Sequence, residues 1–114
     1  MVALLGLCGS LRKASLNRAL LVGVQAAMPA GSALTLYGGL ELPIFNSDLG
    51  DPPEVTALKA AIAAADGVVF GVPEYNYSIP GGLKNALDWV SRPPATSPLR
   101  GKPVGLEIGR ASCR

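Results

Sequence analysis

The sequence predicts an α/β protein built on a doubly wound parallel sheet. Two apolar runs carry most of that expectation. The chain opens on VALLGLC, Val2 to Cys8, a continuous apolar run of the kind that forms a parallel strand buried on both faces. A second such run, GVVFGV, spans residues 67–72. The third observation is what separates them: segments of helical period, cut by glycine and proline, in strand–helix alternation.

The first helix is expected over Ser15–Met28, with Leu16, Leu20, Leu21, Val24 and Ala27 at helical spacing. Pro29-Ala-Gly31 ends it. Ala33–Tyr37 (ALTLY) alternates and reads as the second strand. Residues 38–53 form a Gly/Pro/Asp loop of a length that often serves function. Glu54–Ala65 is an Ala-rich helix with Pro53 at or near its first position. After the strand at 67–72 and a loop over Pro73–Pro80, a third helix spans Gly81–Ser91, with Leu83, Leu87 and Val90 on one face. Residues 93–98 link it to a fourth strand that starts within Lys102–Leu106. Right-handed crossovers then place helices on both faces of the sheet.

Composition narrows the function classes. A chain of 114 residues forms one domain, and 49% hydrophobic against 16% charged residues describes a buried core. A net charge of +2 gives no reason to expect nucleic acid or a membrane as partner. The absence of histidine removes His-based triads and most zinc or iron sites, so no metal site is expected. Cys8 and Cys113 make neither a metal spacing nor a disulfide framework. With no secretory signal and no membrane-length apolar run, a cytoplasmic protein is expected.

The final stretch, KPVGLEIGRASCR, sets Glu107 and Arg110 where a central strand needs apolar residues. IGRASCR also resembles the translation of a sequencing adapter. The expectation is therefore an N-terminal part of one domain, residues 1–107, followed by a non-native tail at 108–114, in place of an ordinary polar terminus. Without Arg110 and Arg114 the net charge falls to zero.

Two loops carry candidate chemistry. GSLRKASLNR, residues 9–18, follows the first strand and holds Arg12, Lys13 and Arg18 with Ser10, Ser15 and Asn17, and no acid precedes Glu41. In an open parallel sheet, ligands bind beyond the carboxyl ends of the strands where strand order reverses. A helix starting there offers unpaired N–H groups to an anion. The hydroxyls, the amide and the guanidinium suit a phosphate monoester, although a capping serine and a solvated loop also satisfy the pattern. Neither G-x-G-x-x-G nor G-x-x-x-x-G-K-[ST] is present, no acid ends the second strand, and none follows the first as a receiver domain needs. A flavin mononucleotide (FMN) phosphate fits best.

The second loop is PEYNYS, Pro73 to Ser78, followed by IPGG. In a sheet of order 2-1-3-4-5 it lies beside the first loop at the switch point. It gathers one acid, one amide and two of the three tyrosines, a suitable wall for a planar heteroaromatic ring. The alternative is that Tyr75 and Tyr77 are core aromatics and Asn76 a turn former. Elsewhere, Cys8 reads as a small core residue, Asp48 and Asp51 as turn formers, Trp89 as a packing or subunit-interface residue, and Lys84 and Arg92 as a solvated helix face.

GSLRKASLNRAL, LPIFNSDL and PEYNYSIPGGLKNALDWVSR together resemble the NADPH-dependent FMN reductase family, which includes chromate, quinone and azo reductases. The resemblance covers residues 1–106. It implies a flavodoxin-like fold, non-covalent FMN and a homodimer or homotetramer. It assigns Ser10, Arg12, Ser15, Leu16 and Asn17 to the FMN phosphate. Pro73, Glu74, Tyr75, Asn76, Tyr77 and Ser78 are assigned to the ribityl chain and ring. The family's last strand and helices, and a third flavin-contacting loop after the fourth strand, are missing from the chain. The implied activity is ping-pong hydride transfer from NADPH or NADH through the flavin to a quinone, chromate, an azo compound or free flavin. No side chain is required as acid, base or nucleophile, and backbone N–H groups of the Tyr75–Ser78 loop would meet the charge of the reduced ring. Two other readings compete. A flavodoxin-type electron carrier would show a short Thr/Ser-Gly phosphate loop and an acidic surface, and neither is present. A non-functional truncated fragment would leave an apolar edge that aggregates.

Overall fold

The computed structural model describes residues 1–13 and 15–108. Strands β1 (Val2–Cys8), β2 (Ser32–Leu36), β3 (Gly67–Gly71) and β4 (Val104–Glu107) pair in parallel in the order β2-β1-β3-β4. Helices α1 (Leu16–Ala26), α2 (Pro53–Ala64) and α3 (Gly81–Val90) make the crossovers. This is the flavodoxin-like arrangement, and β1 and β3 meet where strand order reverses.

The sheet's two faces divide by residue alternation. Leu5 and Leu7 of β1 and Val68 and Phe70 of β3 join Leu58 and Ile62 of α2 and Leu83, Ala86 and Val90 of α3 in one buried cluster. Val55, Leu58 and Ile62 form the buried stripe of α2, and Pro53 opens that helix as expected. On the other face α1 lies close to the strands because β3 ends on glycine. A Cβ on Gly71 would sit 3.1 Å from Leu21 Cδ1 and 3.3 Å from the Asn17 carbonyl oxygen.

That close approach also rotates α1 from the expected orientation. The inward line is Asn17, Leu21 and half-buried Val24, while Leu16 and Leu20 are exposed, Leu16 at 61%. Glu107 does not break β4. It pairs opposite Gly71, and its carbonyl accepts the Val72 N–H at 2.8 Å. The side chain is half-buried at the strand's end, so the backbone ladder tolerates the charge. The fourth strand starts at Val104, and Lys102 ahead of it turns its ammonium onto the Ala63 and Ala65 carbonyls at the end of α2. Val104 and Leu106 are exposed. Of the tail, Ile108 is exposed, and Arg110 and Cys113 lie outside the described residues. Among the described residues no helix is long and apolar enough to cross a membrane.

Candidate functional site

The carboxyl ends of β1 and β3 are tied together by backbone. Gly9 N–H donates to the Gly71 carbonyl at 2.7 Å. A Cβ on Gly9 would meet that oxygen at 3.1 Å, Leu83 Cδ2 at 3.2 Å and Pro73 Cδ at 3.3 Å. Only glycine lets the two loops approach this closely. They touch again farther out, where Tyr75 Oη donates to Ser10 Oγ at 3.4 Å.

Ser15 sits at the N-cap of α1, with its Oγ accepting the Arg18 N–H at 3.2 Å. The capping reading of this serine therefore holds, and Ser15 is buried. Leu16 and Asn17 occupy the first helical positions, whose N–H groups point off the end of the helix. Asn17 is buried, Ser10 half-buried and Arg12 exposed. Cys8 is not a core residue as expected. It is half-buried, with Sγ 3.5 Å from the Ser10 carbonyl and 3.6 Å from Ser15 Oγ, because β1 ends there and the chain turns into the loop.

A cleft of about 300 Å³ opens at this point. Ser10, Arg12, Lys13 and Arg18 face Tyr37, Gly38 and Glu41 across it. The cleft extends toward the end of β2, so Lys13, Arg18, Tyr37 and Glu41 belong to its wall although the sequence reading did not place them there. Their signals were present: two cations inside GSLRKASLNR, and an aromatic residue directly after a strand of the same sheet. The acid expected at the end of a ribose-binding second strand is absent there, but Glu41 reaches the cleft from the following loop.

PEYNYS folds as a two-residue turn. Tyr75 and Ser78 exchange N–H···O bonds of 3.0 and 3.1 Å. Asn76 and Tyr77 at the tip have φ of 53° and 63°, the left-handed pair of a type I′ turn. A bulky residue there costs about 1–2 kcal/mol. The N–H groups of Tyr75 and Ser78 are thus spent on each other's carbonyls, which narrows the expectation for the Tyr75–Ser78 loop to the N–H groups of Asn76 and Tyr77. The N–H groups of Asn76 and Tyr77 at the tip take no part in that exchange. Tyr75 and Tyr77 are not core aromatics: Tyr77 is 94% exposed. Pro73 is buried at the base of the turn, while Glu74 and Ser78 are exposed.

The discounted residues have structural partners. Asp51 pairs with Lys59 at 2.7 Å, and Asp48 donates its N–H to Asn46 Oδ1 at 3.0 Å. No trio of metal-ligating side chains occurs among the described residues. Lys84 pairs with Asp88 on the exposed face of α3. Arg92 is not simply solvated, because its guanidinium lies 5.0 Å from the centroid of the Phe45 ring. Trp89 is buried and donates from Nε1 to the Pro43 carbonyl at 2.7 Å.

A parallel flavodoxin-like sheet with a cationic cleft and a paired turn at its switch point defines a class of nucleotide-binding α/β proteins. Within that class the chain belongs to the NADPH-dependent FMN reductase family, whose model matches residues 2–111. It is 44% identical to an NAD(P)H-dependent FMN reductase of Pseudomonas aeruginosa, covering 96% of this chain and 62% of that protein. It is 43% identical to a quinone reductase of Escherichia coli, covering 95% of this chain and 63% of the relative. The flavoenzyme NAD(P)H:(acceptor) oxidoreductase FerB of Paracoccus denitrificans superposes with a TM-score of 0.87 at 36% identity, over 95% of this chain and 60% of that one. The chain therefore spans about three fifths of the length of these relatives.

Proposed function

We propose that the protein is an FMN-dependent NAD(P)H oxidoreductase that passes electrons to quinones or free flavin. The observation that carries this reading is the cationic cleft joined to the paired turn. Ser10, Arg12, Lys13 and Arg18 gather around about 300 Å³, and Tyr75 Oη reaches Ser10 at 3.4 Å. These donors fit the FMN phosphate, with Leu16 and Asn17 adding N–H groups at the positive end of α1. Ser15 acts indirectly, by capping the helix that presents them. The turn fits the other end of the cofactor. The Tyr75 and Tyr77 rings offer flat apolar surface, the Asn76 and Tyr77 N–H groups can donate to a ring edge, and Pro73, Glu74 and Ser78 flank the approach.

Bound FMN would supply hydride acceptance from NADPH or NADH and delivery to the acceptor, in ping-pong order. The chain's own residues bind and orient. The reading requires none of them as acid, base or nucleophile. Chromate and azo compounds are further acceptors consistent with such a site, and a homodimer or homotetramer is the assembly in which it would work. The test is NAD(P)H consumption with menadione, with and without added FMN. The reading predicts turnover that depends on FMN. No turnover, or the same rate without FMN, contradicts it.

A further inference from the structure

The cationic cleft continues past the place the FMN phosphate would take. From Ser10 and Arg12 the flavin would run to the turn at residues 73–78, but the cleft also runs to the end of β2, where none of those residues lines it. There it joins a second hollow of about 500 Å³ through the shared Tyr37, Gly38, Gly39 and Glu41. Glu54, in the first turn of α2, adds to that hollow's wall. Tyr37 is pinned from two sides: its N–H donates to the Gly6 carbonyl at 2.9 Å, and its half-buried ring packs against the core. Glu41 sits at the apex of a three-residue turn, closed by the Leu42 N–H on the Leu40 carbonyl at 3.0 Å. That turn is anchored by buried Leu40 and leaves Glu41 exposed. Gly38 and Gly39 add no side chain, and a Cβ on either would meet nothing within 4 Å. Among the described residues Glu41 and Glu54 make no ion pair, and neither do Arg12, Lys13 and Arg18. The opposed charges therefore leave the cleft open between them.

We propose that this extension is a second subsite, in which Tyr37, Glu41 and Glu54 take the adenosine of flavin adenine dinucleotide (FAD). The flavin end of that ligand rests on the reductase reading; the adenosine end rests on the chemistry of the extension. Arg12, Lys13 and Arg18 suit a pyrophosphate. Adenosine then brings two ribose hydroxyls and a base amine, donors that carboxylates accept. In dinucleotide-binding sheets an acid beyond the second strand holds the ribose, and Glu41 stands in that region. The Tyr37 ring offers a flat face to the base. The two halves belong to one molecule. A separate nicotinamide dinucleotide would need the cations that the FMN phosphate already occupies.

The test is calorimetric titration of the chain with FMN, FAD and ADP. FAD should bind about fivefold or more tighter than FMN, the worth of about one added hydrogen bond. ADP should bind saturably and displace FMN. Glu41→Gln should weaken FAD about fivefold. It should leave FMN unchanged or slightly tighter, because a negative charge leaves the cationic cleft. Glu54→Gln, outside that cleft, should weaken FAD about threefold and leave FMN within about twofold. Both side chains are exposed, so neither substitution disturbs the core. FAD no tighter than FMN overturns the inference, as does ADP that fails to displace FMN. Equal changes for FMN and FAD in both variants would show a general charge effect and also overturn it. Tight FMN with weak FAD sinks the inference alone, whereas FAD binding without FMN binding sinks the FMN reading alone.

Discussion

Gly9 and Gly23 carry the same absent side chain in opposite surroundings. A methyl on Gly9 meets the Gly71 carbonyl and two side chains within 3.3 Å, and backbone oxygen does not move cheaply. A methyl on Gly23 meets nothing within 4 Å, inside a helix where glycine is the poorer residue. Gly9→Ala should therefore lower stability by about 1–3 kcal/mol, and Gly23→Ala should raise it by about 0.5–1 kcal/mol. Urea unfolding measures both. Tyr77 offers a second contrast. Its left-handed backbone is strained and its ring is bare, a combination that marks a functional position. Tyr77→Gly should stabilise the fold by about 1 kcal/mol and weaken FMN binding, read by thermal melting and flavin fluorescence. The loop was legible in PEYNYS, but its tight turn and the strain on Tyr77 were not. Residue type alone does not report φ, and the mutual bonds of Tyr75 and Ser78 come from the pairing that imposes it.

The helices were legible as periodic segments and residues 38–53 as a loop, while what holds that loop in place was not. Pro53 at the start of α2 and Ser15 before α1 are local signals that the chain uses as written. The face of α1 misled, because leucines at helical spacing do not say which side a neighbouring glycine admits. Gly71 draws Asn17 and Leu21 inward and leaves Leu16 outside. The anchoring of the loop was illegible for a different reason. Its order comes from Asn85 and Trp89, some 40 residues downstream. At this scale Ser15→Ala should cost about 1 kcal/mol through the lost cap of α1. FMN affinity should fall with it, since the same helix end presents the Leu16 and Asn17 N–H groups. Denaturant unfolding and an FMN titration on one variant measure the pair of effects.

For the whole molecule, the strand–helix alternation was enough to predict a parallel sheet, and the order 2-1-3-4-5 that sets β1 beside β3 came with the flavodoxin-like expectation. That adjacency brings loops more than 60 residues apart into contact at Ser10 and Tyr75. The cleft's extension toward β2 was not predicted. It depends on how the chain after Tyr37 folds back to carry Glu41, and tertiary packing decides that. Lys13 and Arg18 then join Ser10 and Arg12 around the cleft, so its affinity should lie largely in the phosphate. The most direct measurement is a paired titration of the purified chain with FMN and with riboflavin, which lacks that phosphate, read by flavin fluorescence. The account predicts one-to-one FMN binding at least about 100-fold tighter than riboflavin, roughly two charge-assisted hydrogen bonds' worth. Equal affinity for the two, or no binding of either, would contradict it.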